Sequence, residues 1–133
     1  MRLLLGFYSI LLLATLAGCS KIPFDWRNKY CGDYLFSYSY YSWSGSSQSA
    51  TIQKEYKGRV YYNKADSKST IHLAFSETED FECTIDKVGN LIYCGGEGRF
   101  ESKDKVSFYY SSHSCAGQGL GGGVVYTISG QKD

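Results

Sequence analysis

From Tyr30 to the end of the chain, apolar side chains recur at every second position, which is the period of a β-strand and not of a helix. The clearest run is Ala50 to Tyr62. There Ile52, Tyr56, Val60 and Tyr62 share one face while Gln53, Glu55, Lys57 and Arg59 share the other, as a sheet with one wet face requires. The same alternation groups Phe36 with Tyr38 and Tyr40, Ile71 with Leu73 and Phe75, Phe81 with Cys83 and Ile85, Val106 with Phe108 and Tyr110, and Val124 with Tyr126 and Ile128. Shorter strands are expected around Leu91 to Cys94 and Gly98 to Glu101. Turn-forming clusters such as Ser44-Gly45-Ser46-Ser47 and Asp86-Lys87-Val88-Gly89-Asn90 separate the runs. Hairpin-length connections with one apolar face per strand predict an all-β domain of about eight antiparallel strands. Such an up-and-down meander closes as a small barrel or, alternatively, stacks as a two-layer sandwich. No segment carries a convincing helical pattern.

Composition narrows the function classes. A chain of 133 residues with 17% aromatics and one proline is a single folded domain, not a disordered or low-complexity one. Its 14 Lys plus Arg against 13 Asp plus Glu leave no basic footprint for phosphates, so no nucleic-acid partner is expected.

The first 19 residues lie outside the strand pattern. Arg2 precedes an apolar run from Leu3 to Leu16, too short for a comfortable bilayer span, and the run ends in Leu16-Ala17-Gly18-Cys19. This ending resembles the lipobox of bacterial lipoproteins. The resemblance implies cleavage before Cys19, a diacylglyceryl thioether on its sulfur, palmitate addition and a durable membrane anchor. Ser20 stands where an Asp would retain the protein at the inner membrane, so the resemblance implies the outer membrane. The expected organisation is a signal peptide over 1–18, a lipidated cysteine and tether over 19–29, and a β domain over 30–133. Phe24 and Trp26 are expected either to rest at the membrane interface or to fold back over one end of the domain.

Four cysteines remain, Cys31, Cys83, Cys94 and Cys115, and an even number outside the cytosol predicts two disulfides. Cys83 and Cys94 flank a hairpin, which favours their pairing and leaves Cys31 for Cys115. With no C-x-x-C pair and only His72 and His113 as imidazoles, neither a metal nor a cofactor is expected. Across the mature chain, Tyr30 to Phe36, Tyr56-Lys57-Gly58, Gly98-Arg99-Phe100, Val106-Ser107-Phe108 and Gly119 to Lys132 are spaced in a way that resembles small, lipocalin-like, β-rich envelope lipoproteins. That resemblance implies the same eight-strand architecture. The Gly-x-Trp of lipocalins is absent, since Trp26 precedes the first strand and Gly32 follows it.

Chemistry-bearing patterns are sparse. Gly117 to Gly122 satisfies G-x-G-x-x-G, but a β-branched strand follows where a dinucleotide site needs a helix. Glu77, Glu79, Asp80 and Glu82 read as a solvated hairpin end, and His72 as a surface residue on the polar face of its strand. Neither histidine sits in a serine or cysteine hydrolase motif, so no enzyme activity is expected. Parity turns Tyr41, Tyr61 and Tyr109 outward and Trp43 falls at a turn; Tyr41, Trp43 and Tyr109 are expected toward the same end, and these are the candidate binding residues. The functional expectation is a lipid-anchored, non-catalytic binding domain for a glycan, a small ligand or an envelope protein. The alternatives are a lysozyme-inhibitor-like or immunity-type lipoprotein and a structural envelope component.

Overall fold

A computed structural model describes residues 21–116 and 121–133. Nine antiparallel strands follow in chain order: β1 (Gly32–Ser44), β2 (Ser47–Gln48), β3 (Ile52–Tyr61), β4 (Thr70–Ala74), β5 (Asp80–Ile85), β6 (Asn90–Tyr93), β7 (Gly96–Ser102), β8 (Lys105–Ser111) and β9 (Gly122–Lys132). Each strand pairs with its neighbour in sequence, except that β2 only extends the far end of β1 and β3 takes its place beside β1. Pairing of β1 with β9, from Tyr34↔Lys132 to Ser44↔Gly122, closes β1 and β3 to β9 into an eight-stranded barrel. The meander is therefore a barrel and not a sandwich. Among the described residues, helix is confined to a single 3-10 turn at Trp26–Lys29 and to α1 (Ser112–Ala116).

Alternation does the sorting. Tyr34, Phe36 and Tyr38 of β1 are buried between exposed neighbours, and Phe81, Cys83 and Ile85 of β5 repeat the pattern. A barrel of eight strands has an interior just wide enough for side chains to fill. Here Phe36, Ile71, Leu73 and Phe75 are wholly excluded from solvent within it.

The two ends differ. One, where β1 starts and β3 ends, is plugged by the segment that the sequence marked as a tether. Arg27 is fully buried there, with Nε and Nη2 on the Asp25 carboxylate at 3.0 and 2.7 Å and Nη1 donating to the Ser67 and Thr70 carbonyls at 2.7 Å. Its guanidinium lies 3.8 Å above the Tyr62 ring. Tyr62 also accepts a hydrogen bond from the Ile22 amide at 2.9 Å and donates to Asn28 Oδ1 at 2.6 Å. Residues 22–29 thus belong to the domain. Trp26 packs against the core, whereas Phe24 is fully exposed.

The disulfide expectation needs correction. Cys94 bonds Cys115, and Cys31 and Cys83 are free and buried. The register Thr84↔Ile92 and Ile85↔Leu91 sets Cys83 opposite Tyr93, so Cys94 falls one residue later and faces the other side of the wall. Cys31 begins the plugged end while Cys115 sits in α1 beyond the end of β8, which keeps those two apart as well.

Candidate functional site

At the open end, strands deliver tyrosines to the inner face. Going up each strand from the core, Phe36 gives way to Tyr38 and Tyr40, Leu91 to Tyr93, Phe108 to Tyr110, Ile128 to Tyr126, and Val60 to Tyr56. Tyr40, Tyr56, Tyr93, Tyr110 and Tyr126 are half-buried and pack on the core cluster. The rings of four of them form a continuous surface: Tyr40 and Tyr126 lie 5.3 Å apart between centroids, Tyr126 and Tyr110 6.3 Å, and Tyr110 and Tyr93 5.5 Å, while Tyr56 stands level with Phe36 on β3, outside that row. Phe75 and Phe81 form the floor, Phe75 edge-on to Tyr126 at 5.6 Å and Phe81 stacked on Tyr93 at 4.4 Å.

The hydroxyls separate these tyrosines from structural ones. Tyr34 donates to the Tyr30 carbonyl at 2.8 Å, Tyr61 donates to Asp80, and Tyr62 is bonded within the plug. Among the described residues, the hydroxyls of Tyr40, Tyr56, Tyr93 and Tyr110 donate to no protein group, and none is a sealed orphan. They face water. Burial, then the neighbouring Tyr93 and the Glu79 carboxylate, push the Tyr110 phenol up; burial, then Glu79, do the same for Tyr126. Both therefore stay protonated donors beside one carboxylate acceptor. Glu79 is held by the β4–β5 turn, where Ser76 Oγ accepts from the Thr78 and Glu79 amides at 3.3 and 2.9 Å. An aromatic face edged with phenol donors and a carboxylate suits sugar rings, which present C–H faces and hydroxyl edges.

The nominated outward residues share the wall formed by β8, β9 and β1, but not one site. Tyr41 is half-buried beside Val125, and Trp43 meets His113 edge-on at 5.4 Å over Gly123. A Cβ at Gly123 would come within 2.9 Å of Ser112 Oγ and 3.2 Å of Trp43 Nε1, so that indole is fixed by packing with α1. Only Tyr109, 49% exposed, stands free. It borders an outer groove of about 590 Å³ shared with Ile92, Glu97, Arg99 and Thr127.

His72 departs from its expected surface role. It points outward from β4 yet is buried, stacked under Tyr61 at 4.7 Å, with Nε2 2.9 Å from Asp66 Oδ2 and Nδ1 3.4 Å from Asp80 Oδ1. Arg59 covers the outer face of Tyr61 at 4.3 Å. Burial and then Asp80 push the Tyr61 phenol up to about 12. With a carboxylate at each ring nitrogen, the imidazole is committed to holding the 62–69 loop and has no nitrogen left for a substrate. The acidic cluster divides, Asp80 joining His72 while Glu79 turns to the tyrosines. Among the described residues no three His, Cys, Asp or Glu side chains converge to hold a metal ion. Of the glycine motif, residues 117–120 lie outside the described residues, and Gly122 opens β9.

The tyrosine mouth was missed because parity assigns those positions to the core. The signal was the change from Phe, Leu and Ile to Tyr at the same end of successive strands, since a phenol hydroxyl needs water or a partner. Compared with protein-family models, with curated proteins and with solved structures, the chain matches none.

Proposed function

We propose that this chain is a lipid-anchored protein of the outer membrane that recognises a glycan, without catalysis, through the tyrosine-lined mouth of its barrel. The observation that carries the reading is the set of half-buried tyrosines whose hydroxyls face water and not a protein partner. The filled interior leaves a small apolar ligand no room inside, which directs recognition to the rim and the outer wall. Leu16 to Cys19 supports the anchor, and Lys21 joins the domain at the plugged end. Two residues on from Cys19 reach at most about 7 Å, so the lipid would attach beside the plug and the mouth would look away from the bilayer.

The test has two arms. Palmitate labelling and membrane sedimentation should both be lost in Cys19→Ala. A glycan array probed with the mature domain should give a signal that Tyr40→Ala/Tyr126→Ala removes and that Tyr41→Ala leaves intact. An array silent for the native domain, or equally bright for the mouth variant, would overturn the glycan assignment.

A second reading is protein recognition, as an inhibitor or immunity-type lipoprotein would require. It is favoured by Ile92, 65% exposed, standing with Tyr109 on the outer groove. Lysozyme protection lost in Ile92→Ala/Tyr109→Ala and kept in the mouth variant would select it.

A further inference from the structure

A closed barrel should have no free strand edge, yet this one has a long gap in its wall. On one side β3 pairs with β1 along its whole length, from Val60↔Gly32 to Ile52↔Tyr40. On the other side it pairs with β4 only at Arg59, Val60 and Tyr61. Ile52 to Lys57 therefore offers six residues of edge, about 20 Å at 3.3 Å per residue, with no backbone partner on that side among the described residues.

The gap has a local cause. Where β4 ends, Phe75 turns into the barrel and packs edge-on to Phe81 at 4.9 Å and Tyr38 at 5.4 Å, drawing the chain away from β3. The turn Ser76 to Glu79 then stands apart from the strand. Two adjoining grooves, of about 410 and 310 Å³, fill the space between. Tyr56, Ser76, Glu77 and Thr78 border both. The bank facing β3 carries Glu77, Glu79 and Asp80, and with Asp33 and Glu55 these carboxylates outnumber the cations of the two grooves, Lys54, Lys57 and Arg59, all of which stand on β3 itself.

The geometry points to this slot as a docking site for an extended, basic segment of another polypeptide, added as a strand to the free edge of β3. Main-chain hydrogen bonds to Ile52–Lys57 would supply the attachment, since unpaired edges are templates for strand addition. The carboxylate excess selects the occupant: lysine or arginine side chains turned toward the β4–β5 turn meet Glu77, Glu79 and Asp80, and acidic ones meet repulsion there, while Lys54 and Lys57 on β3 set the register by which the cations of the incoming strand avoid them. The slot borders the mouth and shares Tyr56 and Glu79 with it, but its attachment is to the β3 backbone and does not depend on the glycan reading.

The test uses the mature chain and a fluorescent hexapeptide of alternating Lys and Val, matched to the length of the edge. Two controls accompany it, the same peptide N-methylated throughout, which keeps its charge but loses its donors, and an alternating Glu and Val peptide. Expected are saturable binding of the Lys peptide, a loss of at least about tenfold with either control, and a similar loss in Glu77→Lys, an exposed change that leaves the core untouched. Amide exchange should slow within Ile52–Lys57 on binding. Absence of binding, equal binding of the N-methylated peptide, or unchanged exchange along β3 in the bound protein would overturn the proposal.

Discussion

At the scale of single residues, Arg27 shows what holds the plugged end. It is wholly removed from water, its ion pair with Asp25 is buried on both sides, and its remaining donors tie the 67–70 segment to the N-terminal turn. Removing one partner of such a pair leaves a buried charge uncompensated. Arg27→Met should therefore cost about 3–5 kcal/mol in urea unfolding, and adding Asp25→Asn should recover part of the loss. The hydrogen bond from Arg27 holds the Asp25 carboxyl below its ordinary value of 3.8 against the opposing effect of burial. Because the folded value is the lower one, this contribution is complete above the unfolded value and is lost as pH falls through and below 3.8. Asp66 acts in the same direction: burial opposes its ionisation, but the Asn63 amide and His72 outweigh burial. Thermal unfolding followed against pH should show a midpoint that drops below pH 3.8, and Asp25→Asn should make that drop shallower.

At the scale of elements, β3 carries the sharpest steric constraint. A Cβ on Gly58 would lie 1.9 Å from the Ala74 carbonyl oxygen, so the β3–β4 ladder starts where glycine lets the two backbones meet. Gly58→Ala should destabilise the domain by about 1–3 kcal/mol, the range for forced overpacking, with amide exchange of β4 accelerating first. Alternation alone located the strands, because its period belongs to the backbone and survives in any sheet with one buried face. It also identified Ile71, Leu73, Phe81 and Cys83 as core. It misassigned Ile52, which is 43% exposed because β3 outruns β4, and no local pattern reports where a neighbouring strand stops. The plug was illegible for a similar reason: Asp25 and Arg27 pair with each other, but what seats that pair in the barrel is Ser67, Thr70 and Tyr62, far along the chain. The cysteines were readable in principle once register was known. Unfolding the domain without reductant should leave Cys94 and Cys115 bonded and release the thiols of Cys31 and Cys83. In the folded state neither should react with a thiol reagent, since burial pushes them up to about 11 and about 12.

At the scale of the whole molecule, the asymmetry of the barrel gives the proposed anchor its consequence. The N-terminal segment enters beside Tyr62 and Val60, at the end where β3 finishes, while the tyrosines and the β1–β2 hairpin occupy the opposite end. β1 has 13 residues, a path of about 43 Å along the strand. Tilted by about 35–45°, it still raises its far end by about 30 Å. That exceeds the reach of two residues of linker, so the plug should lie near the headgroups and the mouth should stay in solution whichever way the barrel rocks. A fluorophore placed at Lys103, in the turn before β8 at the plugged end, should be quenched by lipid-borne quenchers once the lipidated protein binds vesicles. One placed at Ser46, in the turn between β1 and β2, should be spared. The reverse pattern would put the tyrosines against the membrane, and recognition of a glycan in solution would then have no open face from which to work.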